Sequence, residues 1–104
     1  MLLTLLLTLA LQAPTLTVSP RFSPEPVTLT LTVGKISGYI VCAGVDGVEY
    51  GTSTCRENPR TTEQFVFKNV PADTYFARAI VCASPTNCKV SPTVEVVVTS
   101  TGER

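Results

Sequence analysis

The sequence predicts an all-β chain folded as an antiparallel β-sandwich of about six or seven strands. Three observations carry this reading. Val27, Leu29, Leu31 and Val33 alternate with Thr28, Thr30 and Thr32, a period of two with β-branched residues on the solvent side. Further apolar and β-branched runs recur at the spacing of a sandwich or barrel, punctuated by Gly, Pro and Asn. No window shows helical periodicity bounded by caps.

The elements follow in order. Met1 to Ala13 is an apolar run as long as a signal-peptide core and shorter than the ~20 residues that span a bilayer. It reads as a secretory signal, cleaved after Ala10 or Ala13, although no Lys or Arg precedes it. Pro14 to Pro26 contains Pro14, Pro20, Pro24 and Pro26, whose fixed φ and missing donors favour a linker; Leu16-Thr17-Val18 allows an edge strand there. Val27 to Val33 is the clearest strand. Gly34-Lys35 suits a two-residue type II′ turn into a strand from Ile36 to Ala43. Gly44 to Arg60 is ambiguous, with one short strand near Val48-Glu49-Tyr50. Thr61 to Asn69, Tyr75 to Ala83 and Val90 to Thr99 complete the set, so the sandwich domain covers residues 27–100 and leaves a polar tail at 101–104. At 104 residues there is room for one core, modest enough that a covalent staple would help it.

Composition narrows function mainly by exclusion. Eight Lys and Arg balance eight Asp and Glu, so no basic footprint points to nucleic acid or an acidic membrane surface. With no histidine there is no His-based nucleophile relay and none of the usual imidazole metal ligands. No apolar stretch after residue 13 is long enough to anchor the mature chain in a membrane.

The stretch from Phe65 through Val70-Pro71-Ala72-Asp73-Thr74 to Tyr75 resembles the strand, turn and strand of a fibronectin type III or other immunoglobulin-like sandwich. That resemblance implies that Tyr75 is a corner tyrosine, its ring in the core and its hydroxyl on nearby backbone, with Pro71 shaping the corner. The same stretch is also similar to the transthyretin-like modules of the carboxypeptidase regulatory class, where a Gly is expected at the position of Asp73. Both families imply an extracellular scaffold that binds or spaces other molecules.

Cys42, Cys55, Cys82 and Cys88 form an even set behind a secretory leader, which reads as two disulfides. Twelve residues separate the first two and five the last two, so neither pair makes the short Cys-x-x-Cys knuckle of a zinc site, and no metal or other cofactor is expected. Two pairings stay open. The repeated tetrapeptide Ile40-Val-Cys-Ala43 and Ile80-Val-Cys-Ala83 suggests Cys42–Cys82 with Cys55–Cys88, as immunoglobulin-like domains often pin their sheets. Side-chain parity favours the local pairs: a tight turn at Gly34-Lys35 sends Cys42 inward, whereas an inward Tyr75 sends Cys82 outward.

The remaining chemistry is sparse. Asp46, Glu49, Glu57 and Glu63 have no spacing that sets two carboxylates as acid and base, and no enzyme is expected. Arg56-Glu-Asn-Pro-Arg60 is one small basic cluster, suited to a carboxylate or sulphate on a partner. No Asn lies in a glycosylation acceptor motif. The expectation is a secreted, disulfide-stapled module for binding or adhesion to an extracellular protein or glycan. Its recognition loops are placed at one pole, at Ala43 to Arg60 and Ser84 to Lys89, with Arg56, Asn58, Arg60 and Asn87 as candidate contacts. The alternative is a structural spacer from a larger extracellular protein, with no ligand site of its own.

Overall fold

The computed structural model describes residues 12–101, so the leader assigned to Met1–Ala13 lies almost wholly outside the described residues. Among the described residues, nine strands form two sheets: β1 (Thr15–Ser19), β2 (Phe22–Pro24), β3 (Val27–Gly34), β4 (Ile40–Asp46), β5 (Gly51–Glu57), β6 (Glu63–Val70), β7 (Asp73–Ser84), β8 (Asn87–Val90) and β9 (Val94–Thr99). One sheet has the order β1-β3-β6; the other runs β2-β9-β7-β4-β5, with β8 also on β7. All pairings are antiparallel except β2 with β9. The all-β sandwich is the fold expected.

Alternation builds the core. Val27, Leu29, Leu31 and Val33 of β3 and Phe65, Phe67 and Val70 of β6 face inward, against Val41, Ala43 and Val45 of β4, Tyr75, Ala77, Ala79 and Val81 of β7, and Val96 and Val98 of β9. The three-stranded sheet contributes leucines and phenylalanines, while Ala43, Ala77 and Ala79 open the larger sheet to receive them. Tyr75, completely buried, is the largest such side chain; its hydroxyl donates to the Pro71 carbonyl at 2.7 Å, and Tyr50 meets its ring edge-on at 6.1 Å.

Of the two readings of residues 14–26, the structure has the edge strand rather than the linker: Pro14 is fully buried, β1 edges one sheet beside β3 and β2 joins the other. Two local expectations are corrected. Gly34-Lys35 is not a hairpin turn, because β3 and β4 belong to different sheets; Lys35 takes a positive φ of 56° and the chain crosses the sandwich with Ile36 buried beneath it. The ambiguous stretch carries its strand at Gly51–Glu57 rather than at Val48–Tyr50, which forms the turn from β4. Glu49 N–H donates to the Asp73 carboxylate at 3.0 Å and Gly47 N–H to the Tyr50 carbonyl at 2.8 Å, so Asp73 holds that turn from the neighbouring strand.

The run from Val90 to Thr99 is broken at Ser91-Pro92, since proline has no N–H for the ladder. Buried Ser91 repairs the gap. Its hydroxyl oxygen accepts the Ala79 N–H at 2.9 Å while its own N–H donates to the Ala79 carbonyl at 2.8 Å.

Burial, and secondarily the Asp73 carboxylate, pushes the Tyr75 phenol up from 10.0 to about 12. A raised pKa means the folded state holds this proton more tightly, so its contribution is complete below pH 10 and is lost as pH rises toward 12. Tyr75→Phe is expected to cost about 1–2 kcal/mol in urea unfolding at neutral pH and to flatten the alkaline decline of stability between those limits.

Candidate functional site

Because β7 buries its odd-numbered residues from Tyr75 to Val81, the even ones point to the outer face of the large sheet. Register arranges that face in rows across the strands. One row reads Gly51, Asp46, Phe76, Glu95; the next reads Ser53, Gly44, Arg78; the third reads Cys55, Cys42, Ile80, Val90. The middle row is low, with glycine and serine beside the arginine, and stands between taller rows. An open groove of about 690 Å³ results, lined by all three rows.

Glycine at 44 is a packing requirement. A Cβ there would lie 2.5 Å from both the Ser53 Cβ and the Thr52 carbonyl oxygen, so any side chain would push β5 away. The groove carries unusual apolar exposure for a sheet face: Phe76 is 48% and Val90 49% exposed, and Phe22, farther along the same face, 70%. Arg78 stands among these groups, exposed, opposite Gly44 and beside the Ser91-Pro92 interruption. Among the described residues the one ion pair is Arg56–Glu63, so Arg78 and Asp46 are both unpaired.

Both disulfides lie on this outer face. Cys42 bonds Cys55 and Cys82 bonds Cys88, each across directly opposed residues of neighbouring antiparallel strands, with Cα separations of 3.9 and 4.0 Å. The local scheme therefore holds, by a route different from the parity expected. Val41, Ala43 and Val45 face the core, so Cys42 points outward like Cys82. Neither bridge links the two sheets, and no sulphur enters the core.

The residues singled out in the sequence fall elsewhere. Arg56 lies opposite core-facing Val41 at the sheet edge, its guanidinium 4.3 Å from the Phe65 ring centroid and 2.9 Å from the Glu63 carboxylate. Glu63 also accepts the Arg60 N–H at 2.8 Å, and this bond first, then Arg56, lowers its pKa below 4.5. Arg56 thus closes the open edge of the core. Asn58 takes a positive φ of 52° and donates its N–H to the Tyr39 carbonyl. Asn58 and Arg60 follow β5, and Asn87 begins β8, at the same end of the domain; all three are exposed. The stretch from Ala43 to Arg60 is mostly a two-stranded hairpin rather than a recognition loop, its turn lying at the opposite end. Among the described residues no three His, Cys, Asp or Glu side chains group as a metal site would require, and no helix is long and apolar enough to cross a membrane.

Sequence reading missed the outer face because its signal, even-numbered Phe76, Arg78 and Ile80 in a strand with an inward Tyr75, becomes a surface only when β4 and β5 are laid beside it. No family model and no curated protein matches the chain.

Replacing both members of the Cys42–Cys55 bridge by alanine is expected to cost about 3 kcal/mol, and of Cys82–Cys88 about 2 kcal/mol, by loop-closure entropy. The four-alanine variant should keep its amide hydrogen-exchange protection in β3, β6 and β7 once stabilised by osmolyte, because the core contains no cystine. Arg56→Ala is expected to lose about 1 kcal/mol by uncovering the buried Phe65 ring, whereas Arg60→Ala should change thermal stability little.

Proposed function

We propose that this chain is an extracellular binding module of the immunoglobulin-like kind, recognising a protein or glycan partner without catalysis or cofactor, through the outer face of its larger sheet. The carrying observation is the groove itself, where half-exposed Phe76 and Val90 flank an unpaired Arg78 over a floor with almost no side chains. Aromatic and arginine anchors in a hollow are the usual makings of a protein contact. Two disulfides support an oxidising compartment, in keeping with the secretory reading of the first thirteen residues. The pairing of β3 with β6 in one sheet, and of β4, β7 and β9 in the other, supports the immunoglobulin-like assignment, as does the Tyr75 hydroxyl on Pro71.

The rival surface is the end that carries Asn58, Arg60 and Asn87. The two are separated by capture of extracellular proteins and glycans on an array of the multimerised domain. Phe76→Ser with Val90→Ser should reduce capture at least tenfold at unchanged fold, and Asn58→Ala, Arg60→Ala and Asn87→Ala together should not. The reverse pattern would move recognition to the loop end; capture unchanged in both variants would leave a spacer.

A further inference from the structure

The unpaired charges of the groove have a geometry of their own. Phe76 faces Asp46 across the β7–β4 ladder, and Arg78 lies one row further along β7. Arg78 and Asp46 are therefore diagonal neighbours, about 7–8 Å apart, on one exposed face, and they form no ion pair with each other. A plus and a minus at such an offset, with an apolar residue beside both, make a self-complementary pattern. Laid face to face about a two-fold axis in the plane of contact, two identical faces bring each Arg78 onto the other's Asp46, with the Phe76 rings meeting near the axis.

We infer that the occupant of this face is a second copy of the same chain, so that the module is homophilic; this rests on the outer-face reading above and names its partner. The low middle row suits such a contact, since Gly44 and Ser53 put no bulk between the sheets. Exposed Phe76 and Phe22 lie near that axis and are covered by their own counterparts, Val90 falls toward the β4–β5 turn of the other copy, and Arg78 and Asp46 each find a partner of opposite sign; Glu95, beside Phe76, is brought near its own counterpart and opposes the contact. Five strands at about 4.8 Å and four or five rows at about 7 Å bound the face at about 700–800 Å² per copy. Even fully covered, that is no more than the roughly 800 Å² per partner of a standard complex, and the paired Glu95 side chains oppose it, so the dimer is weak, with dissociation in the high-micromolar range, and gains strength when many copies are displayed together.

Sedimentation equilibrium of the secreted chain up to about 1 mM tests this, with two charge reversals as probes. The wild-type chain should be in reversible monomer–dimer exchange. Arg78→Glu and Asp46→Arg should each weaken self-association at least tenfold, because each places like charges together twice per dimer. An equimolar mixture of the two variants should regain a dimer, since Glu at position 78 of one copy then meets Arg at position 46 of the other and the natural pair forms at the second contact. Recovery on mixing also shows that both variants are folded. Monomers throughout the range overturn the inference, as does a dimer indifferent to both reversals or a mixture that stays monomeric. Capture of other extracellular molecules that is lost with Phe76 and Val90, alongside a monomeric wild type, would overturn self-recognition alone and leave the face as the binding surface.

Discussion

The period of two along β7 is the constraint on which both the core and the candidate site depend. Tyr75, Ala77, Ala79 and Val81 are buried beneath the smaller sheet, and the residues between them, Phe76, Arg78, Ile80 and Cys82, are thereby committed to the opposite face. A register slip of one residue would exchange the two sets, putting a guanidinium into the core and a tyrosine into water. β7 is also the strand that β4, β8 and β9 all pair with. Its alternation is imposed on them row by row, which is why the groove forms as ordered rows rather than as a scatter of loop residues.

Where the ladder fails, polar side chains complete it. Ser91 supplies an acceptor and its own backbone to Ala79 at the proline break; Asp73 receives the amides of the β4–β5 turn; Glu25 receives the Ala72 N–H at 2.9 Å at the corner beside Tyr75. Only the Ala79 N–H is buried, and leaving it unsatisfied would cost about 1–3 kcal/mol; the other two bonds fix exposed or half-buried turns. Asp73 is instructive because a glycine suits the same corner in one of the families that the stretch resembles. Here the carboxylate is used, with the Glu49 N–H its main stabilising partner, and its pKa is lowered accordingly.

Placing both cystines on the outer face separates two tasks that a cross-sandwich bridge would combine. The sheets are held together by apolar packing and the Tyr75 corner, while the cystines stiffen β4–β5 and β7–β8, the strands that frame the groove. A face crosslinked at its third row loses less conformational entropy when covered by a partner. Arg56 serves the other side of the same edge strand, shielding Phe65, and so a basic residue that reads as a ligand contact in the linear sequence belongs to the packing of the core.

Alternation and cysteine count are local properties, so the sequence by itself determined that the chain is all-β, that β3, β6 and β7 exist with Leu29, Leu31, Phe65, Phe67 and Tyr75 inward, and that the cysteines pair. Strand partnership is a different matter, because it depends on which edges meet after the chain has closed its long connections. Gly34-Lys35 has the composition of a hairpin turn, yet β3 finds β1 and β6 while β4 crosses to the other sheet, and that crossing reverses the expected facing of Cys42. Only tertiary structure decided that Cys42 opposes Cys55, that Gly44 lies between Ser53 and Arg78, and that Phe76, Arg78 and Val90, from two strands separated by a turn, share one exposed face. The physical reason is that a side chain's facing follows from its own strand's period, whereas its neighbours follow from register, which the whole sandwich sets at once.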